Sequence, residues 1–424
     1  MKEVASTSVL ALIFLALFVP TAYAPIKIAI LLIGLGATTI LLLKKDLFLN
    51  RETLLACGAI SVFGLANSMH GQFNNNPGAF RVLTVISAWP VVYGYFSVLT
   101  NQGKGIVTLS RVLFVTLAFL VTYSFLFLGY AAGFVPGALY IELDQGQGAG
   151  FYEGFTEYKM YSISSLLFLV PFALHRTIYL HYSRRLKPRI ILLLSASVIL
   201  VFMTGRRAVQ LVVVLTPIMI YASHVILRCK FKKSKKMSPK SAFFSIVIYL
   251  LGILGVVYLL GAMGSNTDVM WSSFSNGFDF EQGKDASVRA EQFYSLMNGW
   301  LNSNLLFGVG NGGSVDLIRS EKFVWAYELT YVYLLFSTGI IGVTFYFGWF
   351  AWGLVRIRKG LELNPRMASY VTPMITGVFG LGIGAVTNPY FGKFDYLWII
   401  MMPHLIAGGI RYQIESSKMG WSRK

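Results

Sequence analysis

Apolar stretches long enough to cross a bilayer core recur along this chain from residue 8 to residue 410 with few polar breaks. A lipid interior offers no water to the backbone, so stretches of this length fold as helices that satisfy their own N–H and C=O groups. The pattern predicts an all-α, polytopic integral membrane protein. Spans are expected at approximately 6–23, 26–43, 53–69, 82–99, 112–134, 159–177, 190–203, 208–227, 243–263, 327–355, 369–387 and 394–411, about twelve in all. Val9–Val19 follows only Lys2 and leads straight into Pro25–Leu43, so it reads as a first membrane helix and not as a cleavable signal. Residues 1–424 then form a single integral membrane domain, whose largest polar segment is 264–326.

The chain carries 36 Lys and Arg against 18 Asp and Glu, a formal charge of +18. Distribution matters more than the sum. Lys44, Lys45, Arg51, Lys104, Arg111, Arg176, Arg184, Arg185, Lys187 and Arg189 fall in alternate loops, as do the 228–240 cluster and Arg356, Arg358, Lys359 and Arg366. By the positive-inside rule that face, with both termini, is cytoplasmic. The basic run Lys230–Lys236 is read as a topology signal that contacts anionic lipid, so no nucleic-acid partner is expected. Cys57 lies inside an apolar span and Cys229 beside the basic loop, which speaks against a structural disulfide.

The opposite face receives two long loops. Segment 135–158 mixes acids, aromatics and five glycines, and is expected to be the more mobile. Segment 264–326 is the one large periplasmic loop and contains short helices. Within it, Phe293, Leu296, Met297 and Trp300 mark one face of an amphipathic helix over Ser287–Leu301, which a lid packed on the outer mouth would present. No internal repeat suggests the inverted architecture of many transporters.

Candidate chemistry gathers on that face. The tight turn Thr204-Gly205-Arg206-Arg207-Ala208 sits between two apolar stretches and assigns an arginine pair to the side where basic residues are scarce. A guanidinium stays charged and forks onto phosphate oxygens, so Arg206 and Arg207 suggest an anionic headgroup or a diphosphate. The alternative is that they snorkel to ordinary lipid phosphates. Arg289 opens the amphipathic segment, where a surface ion pair with Asp285 or Glu291 is the competing reading, and Arg319 with Lys322 reads more readily as a solvated face. Gly308-Val309-Gly310, followed by Gly312 and Gly313, lacks the Lys-Ser/Thr of a nucleotide loop, so its glycines are expected to allow a tight backbone course and close approach to a ligand.

Glu328 opens a span on the same side. A carboxylate there is a candidate general base, against the alternative of an acid that complements a helix N-terminus. Asp395, after Lys393, either lines the same mouth or pairs with that lysine. His70, His175, His181, His224 and His404 show no ligand spacing, so neither a metal nor another cofactor is expected.

Thr204-Gly205-Arg206-Arg207-Ala208 resembles the serine-arginine-glycine turn of the O-antigen ligase and polymerase superfamily. Ser287-Val288-Arg289 with Leu305-Leu306-Phe307-Gly308-Val309-Gly310 resembles its large periplasmic loop, and Tyr331 through Gly339-Ile340-Ile341-Gly342 resembles the helix that follows. The resemblance covers roughly residues 190–345. It implies an inverting, metal-independent glycosyltransferase of the bacterial inner membrane whose active site faces the periplasm. Its donor is an undecaprenyl-diphosphate-linked oligosaccharide, and its partners are the bilayer, a chain-length regulator and a flippase. On that resemblance Arg207 and Arg289 assist departure of the diphosphate, and Arg206, Arg319, Gly308, Gly310, Tyr331 and Asp395 line the substrate. Ligases of the superfamily usually carry a histidine where this chain has Glu328, which favours a polymerase over a ligase and leaves the identity of the base open. A lipid-linked glycan transporter is the third reading.

Overall fold

The computed structural model describes residues 1–81, 89–143, 147–152, 155–204, 206–228, 284–318, 321 and 323–418. In chain order these form α1 (Lys2–Phe18), α2 (Ala24–Leu43), α3 (Arg51–Phe73), α4 (Trp89–Thr100) and α5 (Gly105–Ala131). A hairpin of β1 (Gly148–Tyr152) and β2 (Phe155–Lys159) follows, then α6 (Leu166–Tyr182), α7 (Pro188–Met203) and α8 (Arg207–Leu227). The remaining helices are α9 (Lys284–Leu301), α10 (Thr330–Leu363), α11 (Ala368–Gly384) and α12 (Phe394–Lys418).

Seven helical segments among the described residues are long and apolar enough to cross a membrane, and the architecture is that of a helical, multi-pass membrane protein. The span expected at 243–263 lies outside the described residues. The glycine-rich segment expected as a mobile loop holds the antiparallel hairpin, with Gly148 opposite Lys159 and Tyr152 opposite Phe155. It also folds back on α5, where the Tyr123 hydroxyl accepts from the Leu143 N–H at 2.8 Å.

Helix α6 is the centre of the bundle. Its residues Leu166–Ala173 are apolar on every side and all buried, the pattern of a helix enclosed by others. Glycines on α11 bring that helix onto it: a Cβ at Gly377 would meet the Phe168 ring, and one at Gly380 the Leu167 carbonyl. Small residues at such a seam let two backbones approach, which is how helices pack where lipid is as apolar as leucine. The outer helices keep large apolar side chains on the periphery, such as Leu32 and Ile33 on α2 and Leu192 on α7, as lipid-facing surfaces do.

Contacts between distant turns define two ends. At the first, Lys27 reaches Asp395, Ser164 reaches Tyr396, Asn67 reaches Asn311 and Thr330 reaches Asn388. At the second, Arg356 reaches the start of α3, Gln413 reaches Gly103 and Arg176 reaches Ser369. The arginine turn, the hairpin, α9 and the glycine loop lie at the first end. The basic loops 44–51, 184–189 and 356–366 lie at the second.

Candidate functional site

The site at the first end starts from a break in α10. Gly339 has φ 62° and ψ −169°, which divides the helix into two pieces. An interruption at this depth exposes backbone groups that need partners. The segment 305–310 supplies them: Ile340 N donates to Leu305 O and Ile341 N to Leu306 O. In the reverse sense, Val309 N donates to Phe336 O and Gly310 N to Ser337 O. The glycine loop is thus laced into the broken helix as a short extended strand would be.

Glycine is required at both crossings. Gly308 and Gly310 have φ of 68° and 89°, and an added Cβ would collide with α10 backbone at the first and with Gly71 of α3 at the second. The tight backbone course expected of these two residues is present, as backbone-to-backbone contacts with α10 and α3.

The end of α3 clamps the loop from the other side. The Asn76 amide donates to the carbonyls of Val309, Gly310 and Asn311, Asn74 donates to Val309 O and His70 Nε2 lies 3.2 Å from Gly308 O. Beneath them Asn67 and the buried Asn311 exchange side-chain and backbone bonds. None of these α3 residues was expected at the site. The only hint in the sequence is the polar run Asn74-Asn75-Asn76 directly after an apolar span.

Helix α9 forms over Lys284–Leu301 as its periodicity predicts, but its inward face is rotated. Phe293 is 41% exposed, whereas Gln292 and Leu296 are buried. The Gln292 side-chain oxygen accepts from the N–H groups of Glu328 and Leu329, both at 3.1 Å, and so joins α9 to the start of α10. Two hydrogen bonds to otherwise orphaned donors outweigh the burial of one aromatic ring at an edge. A small residue at Gly299 admits Phe336 and Val315 on the same face.

Arg289 lies one turn before Gln292, and its Nε donates to Glu328 Oε2 at 3.1 Å. This is the ion partner that the sequence left open, in place of Asp285 or Glu291. Both side chains are half-buried, and among the described residues the terminal nitrogens of the Arg289 guanidinium have no partner.

From Glu328 the contacts continue toward the arginine turn. Thr330 Oγ1 donates to Asn388 O at 2.9 Å, and Tyr390, two residues on, hydrogen-bonds Arg206. Burial raises the Tyr390 phenol above its ordinary value, while the Arg206 guanidinium pulls it back. Arg206 and Arg207 occupy the N-cap and first position of α8, both half-buried, and no acid stands in the first turn. Two guanidinium groups thus stand at the positive pole of a helix dipole, Arg206 beside Tyr390 and Arg207 with an interaction of its own, and the local polarity favours an anion.

Tyr331 and Asp395 take structural partners. The Tyr331 hydroxyl donates to Gly382 O on α11 at 2.8 Å. Asp395 accepts from Lys27 Nζ at 2.7 Å and from Thr21 N at 3.0 Å, a tie between α12 and the start of α2. Neither pairing with Lys393 nor an open position at a mouth is observed for it. Arg319 lies outside the described residues. Among the described residues no three His, Cys, Asp or Glu side chains gather as a metal site requires.

No protein-family model and no curated protein matches this chain. Arg206, Arg207 and the open face of Arg289 lie at the same end of the bundle, where each can meet an anion. The same end also holds a carboxylate at Glu328, one of whose partners, Arg289, such an anion would compete for.

Proposed function

We propose that the chain is a polysaccharide polymerase of the bacterial inner membrane. It spans the bilayer about twelve times, with both termini cytoplasmic and the arginine end facing the periplasm. It transfers a growing glycan from undecaprenyl diphosphate to a hydroxyl of the next lipid-linked repeat unit. The observation that carries this reading is Arg289. It is half-buried, it is tied to Glu328 through Nε alone among the described residues, and it lies at the same end as Arg206 and Arg207.

The chemistry follows from that geometry. The donor diphosphate takes the terminal nitrogens of Arg289 and the arginines of the α8 turn, and in doing so draws Arg289 away from Glu328. Glu328, relieved of that ion pair, accepts the proton of the acceptor hydroxyl as the hydroxyl oxygen attacks the anomeric carbon from the face opposite the diphosphate. The glycosidic bond to phosphate breaks, the electron pair leaves with undecaprenyl diphosphate, and configuration at the anomeric carbon inverts. Preorganised guanidinium donors aimed at a departing anion are the kind of stabilisation that such a step needs.

Purified full-length protein supplied only with lipid-linked repeat units is expected to build a ladder of longer lipid-linked chains without nucleotide or added metal. Product that appears only after lipid A core is supplied would make it a ligase. Passage of the lipid-linked unit across a vesicle membrane with no new glycosidic bond would make it a transporter.

A further inference from the structure

An open cavity of about 420 Å³ lies beside the glycine loop, at the far end of α9 from Arg289. Its wall carries His70, Asn74 and Asn76 from the end of α3, and Ser303, Asn304 and Ser314 from the loop. Val309 and Phe336 add an apolar portion. Among the described residues no lysine, arginine, aspartate or glutamate contributes to the lining.

The polar groups there are fixed by bonds that use only part of each. Asn74 and Asn76 donate through Nδ2 to loop carbonyls, which leaves their side-chain oxygens as acceptors. Asn304 is oriented the other way: its Oδ1 accepts from the N–H groups of Leu306 and Phe307, at 3.0 and 3.1 Å, so its Nδ2 remains a donor. The wall therefore carries both donors and acceptors on side chains whose positions are already set. Among the described residues the lining offers a phosphate no cation, and its apolar portion is interrupted by amides and hydroxyls that an acyl chain does not match. Clustered hydroxyls, each both donor and acceptor, match amide and hydroxyl groups of this kind, and the C–H face of a sugar ring matches the apolar portion.

Position supports the same ligand. From Arg289 to Leu301 the α9 axis rises by about 18 Å. A molecule that engaged both places would carry an anionic group at one end and several uncharged polar rings at the other. We propose that the cavity is a neutral-glycan subsite, which holds a sugar remote from the diphosphate and so selects the repeat unit that is extended. This rests on the reading of the protein as one that acts on lipid-linked glycans.

The test uses the full chain in detergent and, as probe, the oligosaccharide repeat unit freed by mild acid from the lipid carrier of the producing cells. Binding is followed by titration calorimetry. Asn304→Asp keeps the oxygen that accepts from Leu306 and Phe307 and turns the amide donor into a charged acceptor, while Ser314→Trp fills the mouth from an exposed position. Each is expected to weaken probe binding by about tenfold or more, whereas Arg289→Ala leaves it unchanged. The inference is overturned if the wild-type chain does not bind the probe, if both cavity variants bind it as wild type does, or if Arg289→Ala abolishes binding. A protein that binds the probe in this pattern yet builds no ladder would leave the subsite standing and remove the polymerase reading.

Discussion

Each end of the molecule holds an arginine–glutamate pair, and the two are built differently. At the second end Arg356 donates through Nε to Glu52 at 2.9 Å and through a terminal nitrogen to Asn50 at 2.7 Å and Thr53 at 2.9 Å. Its other terminal nitrogen lies 3.4 Å from His404 Nδ1, and its side chain is 8% exposed. At the first end the Arg289 side chain is 29% exposed and, among the described residues, bonds only Glu328. The same two residue types thus serve opposite ends. Where the fold engages every nitrogen, the guanidinium is a fastener between α3 and α10. Where it leaves the fork open, the guanidinium is available to a ligand.

That contrast can be broken most directly at Arg289. Arg289→Ala is expected to slow chain extension by about 10²–10³-fold, as loss of a donor to a developing anion does elsewhere, while the unfolding temperature in detergent stays that of wild type. Arg289→Lys should recover little, because it keeps charge without the fork. A normal extension rate in Arg289→Ala would reduce this pair to an ordinary surface bridge.

The opposite pattern is expected at the closed end. Arg356→Ala leaves Asn50, Thr53 and His404 without their shared donor and should destabilise the fold by about 2–3 kcal/mol, measured by denaturation in detergent. Extension per folded molecule should be retained. If activity fell while stability held, the division between fastening and binding arginines would fail.

A smaller effect separates how the two ends are held. Side chains tie the closed end, whereas at the open end close backbone packing through glycine joins the α3 side chains in holding the loop. Gly308→Ala places a Cβ against α10 at positive φ and should cost about 1–2 kcal/mol. Faster cleavage by a protease near residue 308, with little change in global unfolding, is the expected readout.

Some of the site could be read from one dimension. Arg206 and Arg207 stand out because cations in a short turn between two apolar stretches violate the loop bias, and α9 follows from its periodicity. The face that α9 turns inward was not legible. Hydropathy favours Phe293, but Gln292 goes inside because the Glu328 and Leu329 N–H groups await it. Nor was the true partner of Asp395, since Lys27 lies 368 positions away and Lys393 only two. The α3 clamp of His70, Asn74 and Asn76 was missed for a similar reason: amides carry no charge or spacing signal, and their value here comes from the carbonyls they meet.

The sequence alone determined that this chain is a set of apolar helices with its basic loops segregated, because burying backbone in lipid and placing charge in water are each decided locally, segment by segment. Tertiary structure alone decided which arginine is spent and which is open, that glycines 308 and 310 serve backbone packing, and that a neutral cavity forms beside them. Those outcomes depend on which hydrogen-bonding groups from distant segments meet, and such meetings are fixed only when α3, α9 and the broken α10 pack around the same loop.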